Sequence, residues 1–463
     1  MAKLFGTDGV RGQAGSVLTA ELAMKLGQAA GRVFLEENGG KTGVIIVGRD
    51  TRISGQMLEC ALTAGLTSVG IQVISAGVVP TPAVAFLVRK FKALAGAVIS
   101  ASHNPFEDNG IKFFSASGSK LRDDQEAAIE AALQGEVEIT EASGRNIGRY
   151  AQVAEAIDAY TDYLDELMSV NGRDYHIVVD CANGAASYIA EKVFTRANFN
   201  VTMIGDRPNG TNINVNCGST HLAQLQQRVL EEGADAGLAF DGDGDRLGVV
   251  TKSGEIIYPD RQMMLFAKDI LAHHPGAQIV YDVKCTRRLV PWIEACGGVP
   301  TISCTGHSLV KAKLRETGAP FAGEMSGHLF FNDGRWPGFD DGVYAGARIL
   351  EILSREADPS AALEALPSAV NTPELQIRMA EGENKAFIAR LQKEARFDDA
   401  LDVITIDGVR VEWNDGFALA RSSNTTPVVV LRLEGDTPEA LERIKKTFAE
   451  VLLKVEPSLE LPF

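Results

Sequence analysis

Three aspartates alternate with glycines in the hexapeptide DGDGDR at 241–246. Carboxylates this close, at Asp241, Asp243 and Asp245, repel one another unless a hard cation neutralises them. The glycines between them allow the tight backbone turns that bring the carboxylates together. The spacing resembles the start of an EF-hand loop, but Lys252 stands where that loop needs its last acidic ligand. The hexapeptide predicts a divalent-cation site suited to Mg²⁺, and the alternative is a solvated acidic turn.

A serine and a histidine follow a short apolar run in ISASHNPFEDNG at 99–110. A hydrolase triad is not indicated, because the G-x-S-x-G turn is absent and a histidine adjacent in sequence is poorly placed to act as the base for Ser102. A nucleophilic hydroxyl combined with a magnesium loop is instead the equipment of phosphoryl transfer. We predict that Ser102 carries the chemistry, that His103 supports it and that Ser100 only ends the strand. The alternative is a polar turn that caps a strand.

A third polar loop, GEMSGH at 323–328, places Glu324, Ser326 and His328 between glycines. A carboxylate, a hydroxyl and an imidazole after a strand can form hydrogen bonds with adjacent hydroxyls, as on a sugar ring. By itself this loop is equally compatible with a purely structural role.

A fourth loop, RSSNTTP at 421–427, is rich in hydrogen-bond donors. Arg421, Ser423, Asn424 and Thr425 offer a guanidinium, hydroxyls, an amide and backbone N–H groups, and converging donors of this kind suit a phosphate. The alternative is an ordinary turn rich in serine and threonine.

Several cations and one further histidine stand beside predicted turns or strand ends. Each can serve acid–base chemistry or contact a second phosphate, and each can equally be a surface charge. They are Arg11, Lys112, Lys284, Arg288 and His307.

The elements that must position these loops recur three times along the chain. A β-branched run that ends at an aspartate is followed by a second run that opens onto a polar loop, with helix-like segments between such runs. This alternation predicts parallel sheets covered by helices, in which ligands bind beyond the carboxyl ends of the strands. The first runs are 43–52, 176–184 and 278–286, the second are 95–105, 234–246 and 318–328, and the helix-like segments include 57–69, 221–232 and 307–317.

The last hundred residues follow a different pattern. Strand-like runs at 374–379, 402–406, 409–412, 417–421 and 427–433 precede one helix at about 437–453, which is typical of an α+β domain on a mostly antiparallel sheet. The fold class predicted is therefore α/β, with three related α/β domains of mixed, mostly parallel sheets and a C-terminal α+β domain. The predicted bounds are 1–152, 153–254, 255–367 and 368–463.

Composition limits the partners. The 463 residues carry a net charge of −16, which argues against broad binding to nucleic acid or to an anionic membrane. The six cysteines are scattered and include no C-x-x-C pair, as expected of reduced thiols in a cytoplasmic protein. The N-terminal stretch lacks the apolar core of a signal peptide, and no apolar run is long enough to span a membrane.

Taken together and in this order, SASHNP, DGDGDR, GEMSGH and RSSNTTP resemble the loops of the α-D-phosphohexomutases over essentially the whole chain. The resemblance implies four domains around a central cleft, with Ser102 as a phosphoserine that also contacts the Mg²⁺ held by the three aspartates. It implies that Glu324 and Ser326 bind sugar hydroxyls. It further implies that the loop at 421–427 binds the phosphate that does not react, through Arg421, Ser423, Asn424 and Thr425.

The same resemblance implies roles for the remaining polar residues and a complete reaction. The catalytic set would add Arg11, Lys112 and His307 to Ser102, and the substrate-binding set would add Arg246, Lys284, Arg288, His307 and His328. The implied reaction interconverts hexose 1-phosphate and hexose 6-phosphate through a hexose 1,6-bisphosphate. The hexose phosphate is the expected partner, and the expected assembly is a monomer or homodimer.

Different stretches of the chain resemble two groups of the family that act on different sugar phosphates. FGTDGVRG at 5–12 resembles phosphoglucosamine mutases, but Met325 and Asn424-Thr425-Thr426 depart from that group. DVKCTRR at 282–288 and DGVRVEWNDGFALARSSNTTP at 407–427 resemble the phosphomannomutase/phosphoglucomutase group. Because the loop at 323–328 is the one expected to contact the sugar, we expect mannose or glucose phosphate, with glucosamine phosphate as the alternative. A metal-dependent sugar phosphatase would not need the loop at 421–427, and a non-catalytic sugar-phosphate sensor would not need Ser102.

Overall fold

Four β-sheets carry the four polar loops. A computed structural model of the chain describes residues 4–6, 9–153, 155–172, 175–424 and 426–463, and within these residues the strands form four separate sheets. Each sheet contains a strand that ends at one of the loops.

The first sheet is mixed. Its strands are β1 (Val10–Gln13), β2 (Val44–Arg49), β3 (Gln72–Val78), β4 (Ala95–Ile99), β5 (Asp108–Ser115) and β6 (Tyr150–Gln152), and the helices in this segment are α1 (Ala20–Glu37), α2 (Gly55–Ser68), α3 (Thr81–Lys90) and α4 (Asp123–Leu133). The order is β1-β5-β4-β2-β3-β6, parallel from β4 to β6 and antiparallel at β5. Ile45, Ile46 and Val47 of β2 are fully buried, as in a strand covered on both faces.

The second sheet is also mixed. Its elements are α5 (Glu155–Leu167), β7 (His176–Asp180), α6 (Ala190–Arg196), β8 (Asn200–Ile204), α7 (Ala223–Glu232), β9 (Ala236–Phe240), β10 (Leu247–Thr251) and β11 (Ile256–Ile257). The order is β11-β10-β9-β7-β8, in which β7 is parallel to β8 and β9 while β10 is antiparallel to its neighbours. Phe240 of β9 lies opposite Leu247 of β10, so the acidic hexapeptide connects two antiparallel strands.

The third sheet has a parallel centre. Its elements are α8 (Pro259–His273), β12 (Gln278–Asp282), α9 (Leu289–Ala295), β13 (Val299–Ser303), α10 (His307–Thr317), β14 (Phe321–Gly323) and β15 (Leu329–Phe331), followed by α11 (Gly342–Leu353) and α12 (Pro359–Glu364). The strands lie in the order β13-β12-β14-β15, with β12 parallel to β13 and β14. Strand β14 ends immediately before Glu324.

The fourth sheet is antiparallel in every pairing described. Its elements are β16 (Val370–Asn371), β17 (Leu375–Arg378), α13 (Glu383–Glu394), β18 (Asp402–Ile404), β19 (Val409–Trp413), β20 (Gly416–Ser422), β21 (Val428–Gly435) and α14 (Pro438–Val455). The order is β16-β21-β20-β19-β18, and β17 also pairs with β21. Helix α14 begins after Thr437, whose side chain accepts a hydrogen bond from the N–H of Ala440, as an N-cap residue does.

These elements form two compact units. The first unit comprises Met1–Tyr258, Gly327–Phe330 and Arg335–Glu364, and the second comprises Pro259–Ser326, Phe331–Gly334 and Ala365–Phe463. The loop DGDGDR at 241–246 (the acidic loop) and the loop at 100–108 that contains Ser102 (the serine loop) belong to the first unit. The residues from Glu324 to Ser326 and the loop at 421–427 belong to the second.

None of the helices formed by the described residues combines the length and apolar character needed to cross a membrane.

The predicted fold class is confirmed, because mixed, mostly parallel sheets precede an antiparallel α+β sheet. The helix-like segments at 57–69, 221–232 and 307–317 are α2, α7 and α10, with ends that differ by at most two residues. Helix α13 and strand β16 were not predicted. The four domain bounds stay predictions.

Candidate active site

Ser102 lies in a buried turn directly after β4. Its side chain is 1 % exposed, and its hydroxyl donates a hydrogen bond of 2.7 Å to Oδ2 of Asp241, 139 residues further along the chain. Its φ angle is +52°, in the left-handed region that non-glycine residues seldom adopt without support from their surroundings. The structure therefore brings the predicted nucleophile to the predicted acidic loop.

The three aspartates of the acidic loop are all buried. Oδ1 of Asp241 accepts the backbone N–H groups of Asp245 and Arg246, at 3.2 and 3.3 Å. Gly242 has to be a glycine, because a Cβ there would lie 2.6 Å from the backbone oxygen of Ser102. The serine turn and the acidic loop thus lie in direct backbone contact.

The pKa values of these carboxylates are shifted in different directions: those of Asp241 and Asp245 are raised and that of Asp243 is lowered. Burial first, and then the charge of Asp243, raise the pKa of Asp241 to about 6. Burial and the two neighbouring aspartates raise the pKa of Asp245. Burial would also raise the pKa of Asp243, but the charge of Lys112 and a hydrogen bond from Thr81 outweigh it and hold that pKa well below its usual range.

The acidic loop has the donor set of a divalent-cation site. One oxygen from each of the three aspartates lies within 4.8 Å of the others. Oδ1 of Asp243 and Oδ1 of Asp245 are buried and have no hydrogen-bond partner among the described residues. Buried carboxylate oxygens without partners are costly unless a cation binds them, and hard oxygen ligands suit Mg²⁺.

Three cations surround this loop. The ammonium of Lys112, on β5, lies 3.1 Å from Oδ2 of Asp243 and is buried. Nε of Arg246 lies 3.6 Å from Oδ2 of Asp241. Arg11, on β1 opposite Gly110, is close enough to lower the pKa of Asp243. Each of these predicted residues therefore lies within the electrostatic reach of the acidic loop.

His103 is held neutral beside the serine hydroxyl. Its Nδ1 lies 3.4 Å from Oγ of Ser102. The charge of Arg246, followed by burial and the charge of Arg11, lowers the pKa of His103 to about 2. A ring with so low a pKa is a weak base, and the supporting role of His103 stays a prediction.

His328 lies against a carboxylate that the sequence analysis did not identify. Its Nδ1 is 3.1 Å from Oδ2 of Asp340 and 3.7 Å from Oδ1 of Asp245, and all three side chains are buried. These three residues form a second group that could hold a cation, and it shares Asp245 with the acidic loop.

In the second unit, Glu324 is the centre of a polar cluster. Its Oε1 accepts the backbone N–H of Gly306 at 2.5 Å, and its Oε2 accepts the hydroxyl of Ser326 at 3.2 Å. Burial and the neighbouring Asp282 raise the pKa of Glu324. The predicted sugar-binding pair therefore lies together, in a setting that stabilises a protonated carboxyl.

The basic residues predicted for this region divide into two sets. His307, at the start of α10, and Lys284, after β12, are close enough to Glu324 to partly offset the rise of its pKa. The ammonium of Lys284 also lies 3.2 Å from Oε2 of Glu374. Arg288 instead pairs with Asp436 at 3.0 Å.

The loop at 421–427 is attached to the same region through Thr305. Nε of Arg421 donates to Oδ2 of Asp407 at 3.0 Å, and that oxygen also accepts the N–H of Thr305 at 2.8 Å. The amide of Asn424 donates to the backbone oxygen of Thr305 at 3.3 Å. Nη2 of Arg421 is buried and has no hydrogen-bond partner among the described residues.

Ser423 and Thr426 lie in the same loop and bond to each other. The hydroxyl of Ser423 accepts that of Thr426 at 3.0 Å. Thr425, which was predicted as part of the set, lies outside the described residues.

Sequence reasoning missed the aspartates that hold the loops in place, although their signal was visible. The recurring runs end at Asp50, Asp180 and Asp282, and all three side chains are fully buried. Asp180 accepts the N–H groups of Ala182 and Gly218 at 2.9 and 2.7 Å. The recurrence of an aspartate after each first strand could have identified them as residues that organise the loops beyond.

Ser100 also does more than end its strand. Its hydroxyl donates to Oδ2 of Asp50 at 2.6 Å and accepts the N–H of Ser102 at 2.9 Å. In the second unit, Asp282 accepts the hydroxyl of Thr305 at 2.8 Å and the N–H of Met325 at 3.1 Å. The contacts of Asp50 and Asp282 with Ser100, Thr305 and Met325 join residues 23 to 50 positions apart, so a local pattern does not show which partners these aspartates bind.

Comparison with protein families gives the same result for all four segments. The chain matches the models described as "Phosphoglucomutase/phosphomannomutase", α/β/α domains I, II and III and the C-terminal domain. The residues matched are 2–139, 158–254, 258–370 and 374–451 respectively.

Individual relatives match over nearly their whole length. The chain is 42 % identical to a phosphomannomutase/phosphoglucomutase of Pseudomonas aeruginosa, covering 100 % of this chain and 98 % of the relative. It is 40 % identical to a phosphoglucosamine mutase of Desulforamulus reducens, covering 98 % and 99 %. A crystal structure of a phosphoglucomutase/phosphomannomutase family protein from Burkholderia thailandensis superposes with a TM-score of 0.90 at 43 % identity, covering 100 % and 99 %.

Proposed function

Because this chain belongs to the phosphoglucomutase/phosphomannomutase family, we propose that it interconverts the 1-phosphates and 6-phosphates of mannose, glucose or both. One observation carries the proposal: the buried hydroxyl of Ser102 is bonded to Asp241 within a cluster of three carboxylates. That arrangement places a nucleophilic hydroxyl directly beside a group of carboxylates that could hold a cation.

In the proposed reaction, Ser102 carries a phosphoryl group between turnovers. The bond from phosphorus to Oγ of Ser102 breaks as a bond forms to the free hydroxyl oxygen of a hexose monophosphate. The product is a hexose 1,6-bisphosphate, which turns round and returns its other phosphoryl group to Ser102. In the first transfer the hydroxyl proton leaves the attacking sugar oxygen, and Oγ of Ser102 takes up a proton as its bond to phosphorus breaks. In the return transfer Oγ loses that proton as it attacks, and the sugar oxygen that leaves the phosphorus takes one up.

Asp241, Asp243 and Asp245 would hold a Mg²⁺ ion, together with an oxygen of the phosphorylated Ser102. Such an ion neutralises negative charge on a transferring phosphoryl group. Lys112 and Arg246 add positive charge beside the same loop, and Arg11 adds a third cation. Fixed charges of this kind stabilise a transition state without having to reorganise.

We propose that His328 is the base that accepts the proton of the sugar hydroxyl. Histidine is the side chain whose ordinary pKa lies nearest neutrality. His103 is a poor base, since Arg246 and burial hold its pKa far below that range. The carboxylate of Asp340 lies beside Nδ1 of His328, and a carboxylate in that position fixes which ring nitrogen is available as the base.

The second unit supplies recognition in this proposal. Glu324 and Ser326 bind sugar hydroxyls, while Arg421, Ser423, Asn424 and Thr425 bind the phosphate that does not react. The buried Nη2 of Arg421 supports this assignment, because a guanidinium whose Nε is already bonded to Asp407 still has donors for a phosphate. His307, Lys284 and Arg288 are proposed to contact the substrate from the same unit.

A second candidate substrate is glucosamine phosphate. It is favoured by the FGTDGVRG stretch and by the 40 % identity to a phosphoglucosamine mutase. Measuring kcat/KM side by side on mannose 1-phosphate, glucose 1-phosphate and glucosamine 1-phosphate separates the candidates. The proposal for mannose or glucose fails if the glucosamine compound has the highest value.

We also propose that the four domains span 1–152, 153–254, 255–367 and 368–463. The first boundary falls between two family matches, the second coincides with the end of one at residue 254, and the third lies within three residues of another.

The decisive experiment removes the phosphoryl carrier. Ser102→Ala should lose at least ~1,000-fold in turnover of glucose 1-phosphate, and mass spectrometry should detect phosphate on Ser102 of the wild type only. Inorganic phosphate should not accumulate, because a mutase retains the group that a phosphatase releases. Wild-type turnover by the alanine variant, or steady release of inorganic phosphate by the wild type, would overturn the proposal.

A further inference from the structure

Arg52, three residues after the end of β2, donates every N–H of its guanidinium within the fold. Arginine has five such donors in a rigid fork. Nε donates to Oδ2 of Asp50 at 2.8 Å. The two terminal nitrogens donate to four backbone oxygens of the serine loop, at Ser102, Asn104, Pro105 and Asp108.

These bonds enclose the turn on which Ser102 lies. The distance from Nη2 is 2.8 Å to the oxygen of Ser102 and 2.9 Å to that of Asn104. Arg52 is 1 % exposed and Asp50 is fully buried. A buried guanidinium with an ion-pair partner and no spare donor is a fixed support, because any movement of the loop would leave buried groups unpaired.

The same pair also fixes the other side of the serine. Asp50 accepts the hydroxyl of Ser100 at 2.6 Å, and Ser100 in turn accepts the N–H of Ser102 at 2.9 Å. Both backbone polar groups of Ser102 are therefore held by one ion pair. This accounts for the left-handed φ of +52° at that residue, since a strained conformation persists only where the surroundings over-determine it.

We infer that Arg52, held by Asp50, is a positioning residue that sets the Oγ of Ser102 in line for phosphoryl transfer. The inference rests on the proposed function of Ser102 and extends it to a residue outside the four loops. Arg52 acts through the loop backbone. The amide of Asn214 supports the same two oxygens from another direction, at 2.9 Å from that of Ser102 and 3.1 Å from that of Asn104.

The test compares Arg52→Lys with Arg49→Lys. Lysine keeps the charge but has three donors in place of five and cannot span four oxygens. Arg49, on β2, pairs with Glu59 at 2.8 Å and donates a long hydrogen bond of 3.4 Å to the backbone oxygen of Asp50. The control therefore also changes an ion-paired arginine to lysine, but it removes none of the bonds from Arg52 to the serine loop. The readouts are kcat and KM for glucose 1-phosphate and single-turnover phosphorylation of Ser102 by glucose 1,6-bisphosphate.

Arg52→Lys should lower kcat and the single-turnover rate together by about 100-fold, the scale expected for a misplaced reacting group, while KM stays unchanged. Arg49→Lys should leave all three values as in the wild type. A purely structural role for Arg52 would lower the melting temperature without this division between kcat and KM. Wild-type kcat in Arg52→Lys, or an equal loss in Arg49→Lys, would overturn the inference.

Should Arg52→Lys fail to fold, Asn214→Ala serves as the second variant. It removes two hydrogen bonds to the same oxygens and leaves the ion pair intact, so kcat should fall about tenfold at constant KM. Wild-type kcat in that variant would overturn the inference. Failure of the inference is distinguishable from failure of the proposed function. Full activity in Ser102→Ala would contradict both, whereas wild-type kcat in Arg52→Lys together with an inactive Ser102→Ala would contradict the inference alone.

Discussion

The two units of this protein hold the side chains proposed to be functional in different ways. In the first unit the functional groups bond largely to one another: Ser102 donates to Asp241 and Lys112 to Asp243, and all four are buried. In the second unit they bond largely to supporting groups: Glu324 accepts from the backbone of Gly306, and Asn424 donates to that of Thr305.

This difference corresponds to two kinds of work. A site that transfers a charged group is most effective when its charges are fixed and neutralised before the substrate arrives. A site that binds a ligand needs donors that are not already bonded within the protein. Nη2 of Arg421 is such a donor, since it has no hydrogen-bond partner among the described residues. The first unit is therefore expected to determine kcat, and the second to determine KM and specificity.

The largest effect should come from Asp243→Asn in the first unit. The amide keeps the size of the carboxylate but loses the charge that pairs with Lys112 and is expected to bind Mg²⁺. We expect kcat to fall by about 100- to 1,000-fold and the Mg²⁺ concentration for half-maximal activity to rise. Asp123→Asn, the same change on an exposed residue of α4, is the control. An unaltered Mg²⁺ titration would remove Asp243 from the cation site.

The next largest effect should come from Arg421→Ala in the second unit. Loss of a charge-assisted hydrogen bond to a phosphate corresponds to about a 10- to 100-fold rise in KM, and Ser102 should still become phosphorylated. Arg396→Ala is the control and is expected to behave as the wild type, because Arg396 is exposed and lies just after α13 in the same C-terminal segment. If kcat fell and KM did not change, the division of work between the units would be wrong.

Asp407→Asn should give a smaller change of the same kind. This substitution weakens the acceptor shared by Arg421 and the N–H of Thr305, so KM should rise about threefold to tenfold. Kinetics with glucose 1-phosphate provide the test, and Asp402→Asn on the exposed edge strand β18 is the matched control. The comparison would be sharpened if Asp407→Asn added nothing further in the Arg421→Ala background, because the two changes would then act through one contact.

The smallest effect concerns stability. Burial and Asp282 raise the pKa of Glu324, and a carboxyl with a raised folded-state pKa stabilises the fold only while it is protonated. That contribution is lost as the pH rises from about 4 through the raised value. Glutamine cannot ionise and keeps an acceptor for Gly306. Glu324→Gln should therefore melt about 2 °C above the wild type at neutral pH.

The difference should disappear near the ordinary pKa of a carboxyl. Melting temperatures of both proteins between about pH 4 and pH 8 measure it, and Glu381→Gln at an exposed position should show no such trend. A gain that stayed constant with pH would mean that the ionisation of Glu324 is not its cause.

Much of the architecture follows from local sequence. Alternating β-branched and helix-period segments give the order of the elements, because each apolar period has one secondary structure that buries it. The runs at 43–52, 176–184 and 278–286 become β2, β7 and β12 within a few residues. The hexapeptide DGDGDR likewise predicted a cluster of carboxylates suited to a cation, and one oxygen from each of the three aspartates lies within 4.8 Å of the others.

The supporting residues were beyond the reach of local sequence. Arg52 is an arginine after a strand, which is unremarkable until five acceptors converge on it. Asp340 and Asp407 are likewise ordinary acidic residues in loops. Their roles depend on partners that are distant in the chain, and one sequence does not reveal which distant groups meet.

The sequence alone therefore determined the kinds of groups available and the elements that present them: a serine after β4, three carboxylates after β9, and donors after β20. The tertiary structure alone decided their state. It buried Ser102 in a left-handed turn against Asp241, separated the acidities of Asp241 and Asp243, and left Nη2 of Arg421 without a partner among the described residues. Proximity and burial set protonation and orientation, and both arise only when distant segments pack together.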